Sequence, residues 1–539
     1  MSILNTIVAR VLHSGNRRIP QVAETGMVYS HQGEVYRCFD APLAAHTFDG
    51  VFRDAMSPIY PVNDYGPLMP GLVMAAVAIL HVFLAQFAVG GGILLCYFQW
   101  LAMTGRSQNA RTFVHGYFKV LVLISFVLGA LTGVGIWFTS IQISAATIGE
   151  MVFNFHWIWA TEWTFFCLEV VSGYCFYRYH RQLSDRTCLT LLTLYAVAAW
   201  MSLFWINGIL SWQLTPGDWL MTHSVMDGFF NPGFWPSLLF RTIVCMTLSA
   251  LIGCIVVNII PNLERADRQE LINKAAHLMM PMLAMPILGA WYLYSMPDDS
   301  RGWVLGGSPA MMLFFMISVG ASLAIGGYAL IGLWFQKLYI NGATATLLLL
   351  LAFGATAGGE FVREGSRKPY TVRYVLFSNA IRPEEVATLR AHGSVTDDPF
   401  PVIHETQLPN ETVTVGAKVF RRQCAVCHTM EGSNAVAHLT ESWDADQMRM
   451  NIAKLQQTKP FMPPFAGSAG ELESLVQYIQ WVHQRRPETW DKTIDPQAIE
   501  HIQKWLDEAG TVAAGFIPQR IQSTAHPQAD VRSTVGSFQ

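Results

Sequence analysis

Gln423-Cys424-Ala425-Val426-Cys427-His428 is the stretch from which the rest of this 539-residue chain can be read. Cys-x-x-Cys-His is the attachment signature of a c-type haem. Two thiols held one helical turn apart can each add to a haem vinyl group. The adjacent His428 then stands as the proximal iron ligand. A zinc pair is the competing reading, but it needs a second ligand pair, and no other Cys-x-x-Cys occurs in the chain. One covalent haem c is expected. Downstream, Phe461-Met462-Pro463-Pro464-Phe465 offers a thioether on a stiff loop for the sixth position. The spacing of Leu472, Leu475, Val476, Ile479 and Val482 predicts a helix over 471–483 with one apolar face. Gly416 and Phe420 fall on a helix leading into the attachment site.

Residues 412–485 resemble a small class I cytochrome c, and the resemblance implies His428 and Met462 as axial ligands. Covalent haem c is attached on the outer side of a bacterial-type membrane, which fixes one end of the topology. The chain is 52% apolar and only 14% charged, against roughly 25% charged in a soluble domain. That deficit points to a membrane protein. The net charge of −3 gives no reason to expect nucleic acid. Cys96, Cys167, Cys175, Cys245 and Cys254 lie inside apolar runs, where a free thiol behaves as a small hydrophobe. The first 20 residues do not read as a cleavable signal peptide, because Arg10, Arg17 and Arg18 follow the short apolar stretch instead of preceding it.

Residues 1–66 read as a polar extramembrane arm. His13, His31 and His46 within it match no metal-ligand spacing. Apolar runs long enough to cross a bilayer, which needs about 20 residues, then follow at about 71–102, 117–140, 155–177, 189–211, 237–260, 276–294, 309–335 and 343–359. Eight spans return the chain to its starting side, so the arm and the cytochrome domain are expected in one compartment. Basic residues test this through the positive-inside rule. Loops assigned inside carry Arg106, Arg111, Arg178, Arg181, Arg186, Arg265, Arg268, Lys274 and Lys337. Short loops assigned outside hold only Arg301, beside Glu150, Asp218, Asp227, Asp298 and Asp299. The expected location is a bacterial inner membrane, crossed several times, with the N-terminus and the cytochrome domain periplasmic. Residues 371–411 read as a polar connector with Pro383, Pro399, Pro401 and Pro409. Residues 486–539 form a hydrophilic tail with one candidate helix over 496–509. The fold expected is all-α, a polytopic helical bundle joined to a small soluble α-helical cytochrome c domain.

Ionisable groups inside spans are costly and therefore functional candidates. His81, in Ile79-Leu80-His81-Val82-Phe83, can ligate iron or hydrogen-bond a neighbouring helix. Gly90, Gly91 and Gly92 further along can let a flat ring approach the backbone. Glu162 and Glu169 are seven residues apart and so share a helix face. They can pass protons, contact a haem, or sit in structural ion pairs. The eighth span ends Gly359-Glu360-Phe361-Val362-Arg363-Glu364-Gly365-Ser366-Arg367-Lys368-Pro369-Tyr370. Arginines there can clamp haem propionates or anchor a helix end at the interface.

Together these features resemble subunit I of cytochrome bd oxidases over residues 67–370. That family closes its eighth span with Gly-Trp-x-x-x-Glu-x-Gly-Arg-Gln-Pro-Trp. Glu364 takes the place of the haem glutamate, Arg367 that of the arginine, and Pro369 is retained, while Glu360 replaces the first Trp and Lys368 the Gln. The resemblance further implies His81 and Met316 as haem ligands and Glu162 and Glu169 as the paired third-span acids. Where the family has its low-spin haem histidine, Leu239-Phe240-Arg241-Thr242 offers only Arg241, which cannot ligate iron. The long quinol-binding loop shrinks to about 295–308, and the cytochrome c domain stands in place of a ninth span.

The expectation is a membrane haem electron-transfer subunit resembling a cytochrome bd-type oxidase fed through a periplasmic haem c. Two or three non-covalent haems of b, or b and d, type would sit near His81, Met316 and Glu364, with Arg367 on a propionate. Glu162 and Glu169 would deliver protons for reduction of oxygen to water. A second reading is an electron conduit between the quinone pool and a periplasmic cytochrome c within a larger respiratory complex. A third is a plain membrane anchor. A second membrane subunit is expected as a partner.

Overall fold

The computed structural model describes residues 60–334, 341–402 and 405–511, preceded by one strand pair. That pair joins β1 (Met27–Tyr29) and β2 (Val35–Arg37) antiparallel, with Val28 opposite Tyr36. It belongs to a unit of its own, Met1–Pro58. His13, His31, His46 and residues 512–539 lie outside the described residues.

In lipid every backbone polar group must be bonded within its own segment, which leaves helices as the solution for a single span. Among the described residues seven helical elements are long and apolar enough to cross a membrane. They are α1 (Pro70–Met103), α2 (Ala110–Tyr179), α3 (Asp185–Trp212), α4 (Phe234–Ile259), α5 (Arg265–Ser295), α6 (Pro309–Trp334) and α7 (Gly342–Arg367). Their starts are written locally. Pro70 occupies the first turn of α1, Ser184 accepts from Thr187 N at the head of α3, and Asn341 accepts from Thr344 N at the head of α7.

Eight spans were expected and seven elements are seen, because α2 folds back on itself. Its helical dihedrals fail at Ser144 (φ −152°, ψ 79°) and at Phe155. His115 meets His180 at 4.7 Å, Phe118 meets Phe176 at 4.7 Å, and Trp137 meets Trp159 at 4.9 Å between ring centroids. Such pairs require two antiparallel arms. Among the described residues the bundle therefore makes eight traverses, and α1 begins at the end where α7 stops.

The bundle's core gathers Phe87, Leu94, Phe98, Phe113, Tyr117, Leu192, Leu251 and Leu271 from α1 to α5. Its outward surface carries Leu131, Phe138, Ile287, Leu323 and Leu350, the side chains that hydrocarbon accepts. The glycine triplet serves this packing and not the approach of a flat ring. A Cβ at Gly90 would collide with the Cys245 carbonyl of α4, one at Gly91 with Leu121 of α2, and one at Gly92 with Ala196 of α3. Three consecutive glycines thus admit three neighbouring helices.

The stretch after α7 is a folded wedge. β3 (Tyr370–Val372) pairs antiparallel with β4 (Leu376–Phe377), and α8 (Glu385–His392) follows. Arg373, 2% exposed, pairs with Asp299 and donates to Ser300 Oγ at 2.8 Å and Ser366 O at 3.4 Å. A buried guanidinium bonded on several sides fastens this segment to the short loop before α6. Beyond it, α9 (Glu411–Gln423), α10 (Ala445–Ala453), α11 (Ala469–His483) and α12 (Pro496–Ala509) enclose a second core. Val413, Phe420, Leu472, Val476, Ile479, Ile502 and Leu506 form it. Gly416 of α9 lies so close to the Ser474 carbonyl of α11 that no Cβ fits. Capping boxes at Asp444–Gln447 and Ser468–Glu471 start α10 and α11. Among the described residues the chain is all-α apart from these short strand pairs.

Candidate haem sites and their junction

α9 ends at Gln423 and delivers Cys424, Cys427 and His428 into a tight loop. Gln423 holds the opposite loop with two hydrogen bonds. Its Nε2 donates to Ala466 O at 3.1 Å, and its Oε1 accepts from Ala466 N at 2.9 Å. Met462 lies four residues before that clamp, on a turn closed by Met462 N to Lys459 O at 2.9 Å. The attachment loop and the thioether loop are thereby tied together.

His428 Nδ1 lies 3.0 Å from the Asn434 carbonyl. A carbonyl only accepts, so Nδ1 carries the hydrogen and Nε2 keeps its lone pair. Burial holds His428 below the ordinary imidazole range, against the pull of that carbonyl, which favours the neutral ligand form. Burial, with Cys427 beside it, pushes the Cys424 thiol up to about 12. The donor set fits a covalent haem c with a nitrogen ligand on one face. When bound, that group supplies one-electron redox chemistry.

His81 shows the same logic inside the bundle. Its Nδ1 lies 3.1 Å from Thr132 Oγ1. The Thr132 hydroxyl spends its single hydrogen on the Leu128 carbonyl at 2.8 Å, so His81 Nδ1 is the donor and Nε2 is bare. Gly133 has no Cβ to crowd the ring, which would otherwise stand 3.1 Å from His81 Cε1. The imidazole is oriented as a ligand would need to be. Thr132 was not visible as its partner from sequence, because the pairing runs between α1 and the first arm of α2.

Glu162 and Glu169 both face α3, as their spacing implies. Ser202 Oγ donates to Glu162 Oε1 at 2.5 Å, and Glu169 meets the Tyr195 hydroxyl. The two hydroxyls are also seven residues apart, so two acid–hydroxyl pairs stack in register between antiparallel helices. Glu169 is 7% exposed. Tyr195 in turn points its hydroxyl at the Ala88 carbonyl of α1, 3.4 Å away.

At the end of α7, Glu364 pairs with Arg367 and, at 3.5 Å, with Lys368. Arg367 reaches Thr371 O at 3.4 Å, and its Nε is buried without a partner. An unsatisfied guanidinium N–H at this point fits a carboxylate such as a haem propionate. One turn back, Arg363 Nε donates to Glu360 at 2.7 Å, and Arg241 of α4 meets the same carboxylate at 3.7 Å. Arg241 and Glu360, two of the positions at which the sequence departs from the bd pattern, thus form one ion pair. Met316 stands elsewhere. Met311, Phe314, Phe315 and Val362 pack together where α6 meets α7, and Met316, on the far side of α6 from them, is 55% exposed.

The two halves meet at the attachment loop. The Gly71 N–H in the first turn of α1 donates to Val426 O at 3.1 Å, between the two cysteines. Ser433 N donates to Pro67 O at 2.7 Å, and Met69 N to Ser433 Oγ at 2.7 Å. A Cβ at Gly432 would collide with Pro67. From α7, Lys368 Nζ lies 3.8 Å from Cys427 Sγ. The Cys-x-x-Cys loop is seated on the head of the helix that bears His81 and beside the end of the helix that bears Glu364.

Comparison with known proteins follows the same division. No curated relative matches the sequence. Among solved structures, a chain described as "The structure of bd oxidase from Geobacillus thermodenitrificans" is similar with 14% identity and a TM-score of 0.49, over 59% of this chain and 91% of that one. Residues 411–479 match the family described as cytochrome C oxidase, cbb3-type, subunit III. The chain is therefore a membrane electron-transfer protein, a bundle of membrane-spanning helices that carries a C-terminal cytochrome c domain of the cbb3 type.

Proposed function

We propose that this chain is the haem-bearing core of a respiratory oxidase in which electrons pass between a covalent haem c and haems held inside the membrane bundle. The observation that carries the reading is the junction. The haem c attachment loop is hydrogen-bonded to Gly71 in the first turn of α1, ten residues before His81, and touches Lys368, four residues after Glu364. His428 and Met462 would hold the haem c iron. His81 and Glu364 would hold iron in the bundle, with Arg367 on a propionate, while Met316, on the exposed side of α6, would hold a haem only at the bundle's edge. Membrane haems of b, or b and d, type would supply one-electron transfer and a place for oxygen to react.

The chain's own residues then have separate tasks. Thr132 orients His81, Asn434 orients His428, and the Glu162–Ser202 and Glu169–Tyr195 pairs hold exchangeable protons within the bundle. The short loop over 295–308 leaves little room for a quinol, so entry of electrons from a periplasmic cytochrome c through the haem c is favoured. The location proposed is a bacterial inner membrane with the cytochrome domain periplasmic, beside a second membrane subunit. The conduit reading draws on Arg241, which removes one expected iron ligand. The test is carbon monoxide binding to the reduced, purified protein together with oxygen uptake from reduced cytochrome c. A carbon monoxide spectrum from a non-covalent haem, with oxygen uptake, supports the oxidase. Six-coordinate haems that bind no carbon monoxide turn the reading to a conduit.

A further inference from the structure

We propose that Lys368 is a positioning residue that sets the potential of the haem c and couples it electrostatically to Glu364. This rests on the reading of Glu364 as a membrane haem ligand. Lys368 Nζ lies 3.8 Å from Cys427 Sγ on one side and 3.5 Å from Glu364 Oε1 on the other. Its side chain is only 22% exposed, so solvent screens the ammonium weakly. In the loaded protein Cys427 Sγ is the thioether that joins the haem to the chain, still a weak acceptor for an N–H. A cation at that sulfur opposes the added positive charge of the ferric state and so raises the haem potential. Hydrogen bonding and charge near the attachment atoms are among the protein's levers on haem potential.

The geometry makes the effect conditional on Glu364. A carboxylate free to pair with Lys368 neutralises part of its charge at the haem c. A carboxylate engaged on iron does so less, which leaves more of the cation for the Cys427 sulfur. Arg367 cannot take over this role, because its guanidinium is turned to Glu364 and Thr371 O. The backbone contacts of Gly71, Met69 and Ser433 fix the loop whatever residue stands at 368. Substitution there should therefore leave the domain in place.

The test is a redox titration of the haem c α-band in the purified full chain, for wild type, Lys368→Gln and Lys368→Arg. Haem c content should be equal in all three. The midpoint should fall in Lys368→Gln and return toward wild type in Lys368→Arg. An unchanged midpoint in Lys368→Gln overturns the proposal. A haem count on Glu364→Ala keeps the underlying reading separate. Loss of a membrane haem there with no Lys368→Gln shift defeats the role of Lys368 alone, while full haem retention defeats the ligand role of Glu364 and the coupling with it.

Discussion

Replacing Glu360 by Gln should be among the most damaging single changes in the bundle that touch no proposed iron ligand. Glu360 accepts from Arg363 at 2.7 Å and faces Arg241 at 3.7 Å, with the three side chains 13%, 19% and 16% exposed. Glu360→Gln leaves two guanidiniums without a counter-charge inside a low-dielectric bundle. Breaking a buried pair from one side costs about 3–5 kcal/mol, because the orphaned charge stays desolvated. Two orphans on one acceptor place the loss toward the upper end. Arg241→Met is different, since Glu360 keeps its shorter bond to Arg363 and no charge is stranded. The loss there should be about 1 kcal/mol, the scale of a single weak pair. Unfolding of a large membrane protein is commonly irreversible, so the assay is the half-life of the monodisperse fraction at fixed temperature in detergent. The order expected is wild type, then Arg241→Met, then Glu360→Gln as the shortest-lived. Equal half-lives for Glu360→Gln and wild type, or a worse result for Arg241→Met, would refute the argument.

Other substitutions separate the sites. Met462→Ala should remove the thioether-to-iron band of the haem c and lower its potential, since thioether ligation raises it; an unchanged spectrum and potential count against Met462 as ligand. His81→Ala should cost a non-covalent haem and spare the haem c, and a full complement of haem in that variant returns His81 to a hydrogen-bonding role. Glu169→Gln should slow turnover while haem content stays whole, because its task is to hold a proton and not iron. In haem-free protein the Cys424 thiol, pushed up to about 12 by burial and by Cys427, should be alkylated slowly at neutral pH and faster only as pH climbs toward that value. Rapid labelling of Cys424 at pH 7 would contradict the raised position of this half-buried thiol.

Much of this was legible before any coordinates. The Cys-x-x-Cys-His motif with a Met-Pro-Pro loop marked the cytochrome domain, periodicity placed α11 to within two residues, and the candidate helix over 496–509 coincides with α12. Among the described residues, apolar runs fall on each of the seven long helical elements, including both arms of α2 that the structure joins into one. What stayed hidden was pairing between distant segments. Thr132 behind His81, Tyr195 and Ser202 behind the two acids, and Asn434 behind His428 are partners set by helix packing, which one-dimensional spacing does not encode. Arg241 and Glu360 were each visible as a departure from the bd pattern. Their opposite charges were the one sequence clue that they answer each other. Residues 371–411 were read from their prolines and polarity as a polar connector, and buried Arg373 with the β3–β4 pair gives that connector a folded start. Polar composition reported its surface and missed the bonds beneath.

The claim that haems lie inside the bundle meets its most direct test in a pyridine haemochrome analysis of the purified chain. One c-type haem with two or three b- or d-type haems per chain is the expected result. One c-type haem and no other would leave the bundle as an anchor and contradict the account.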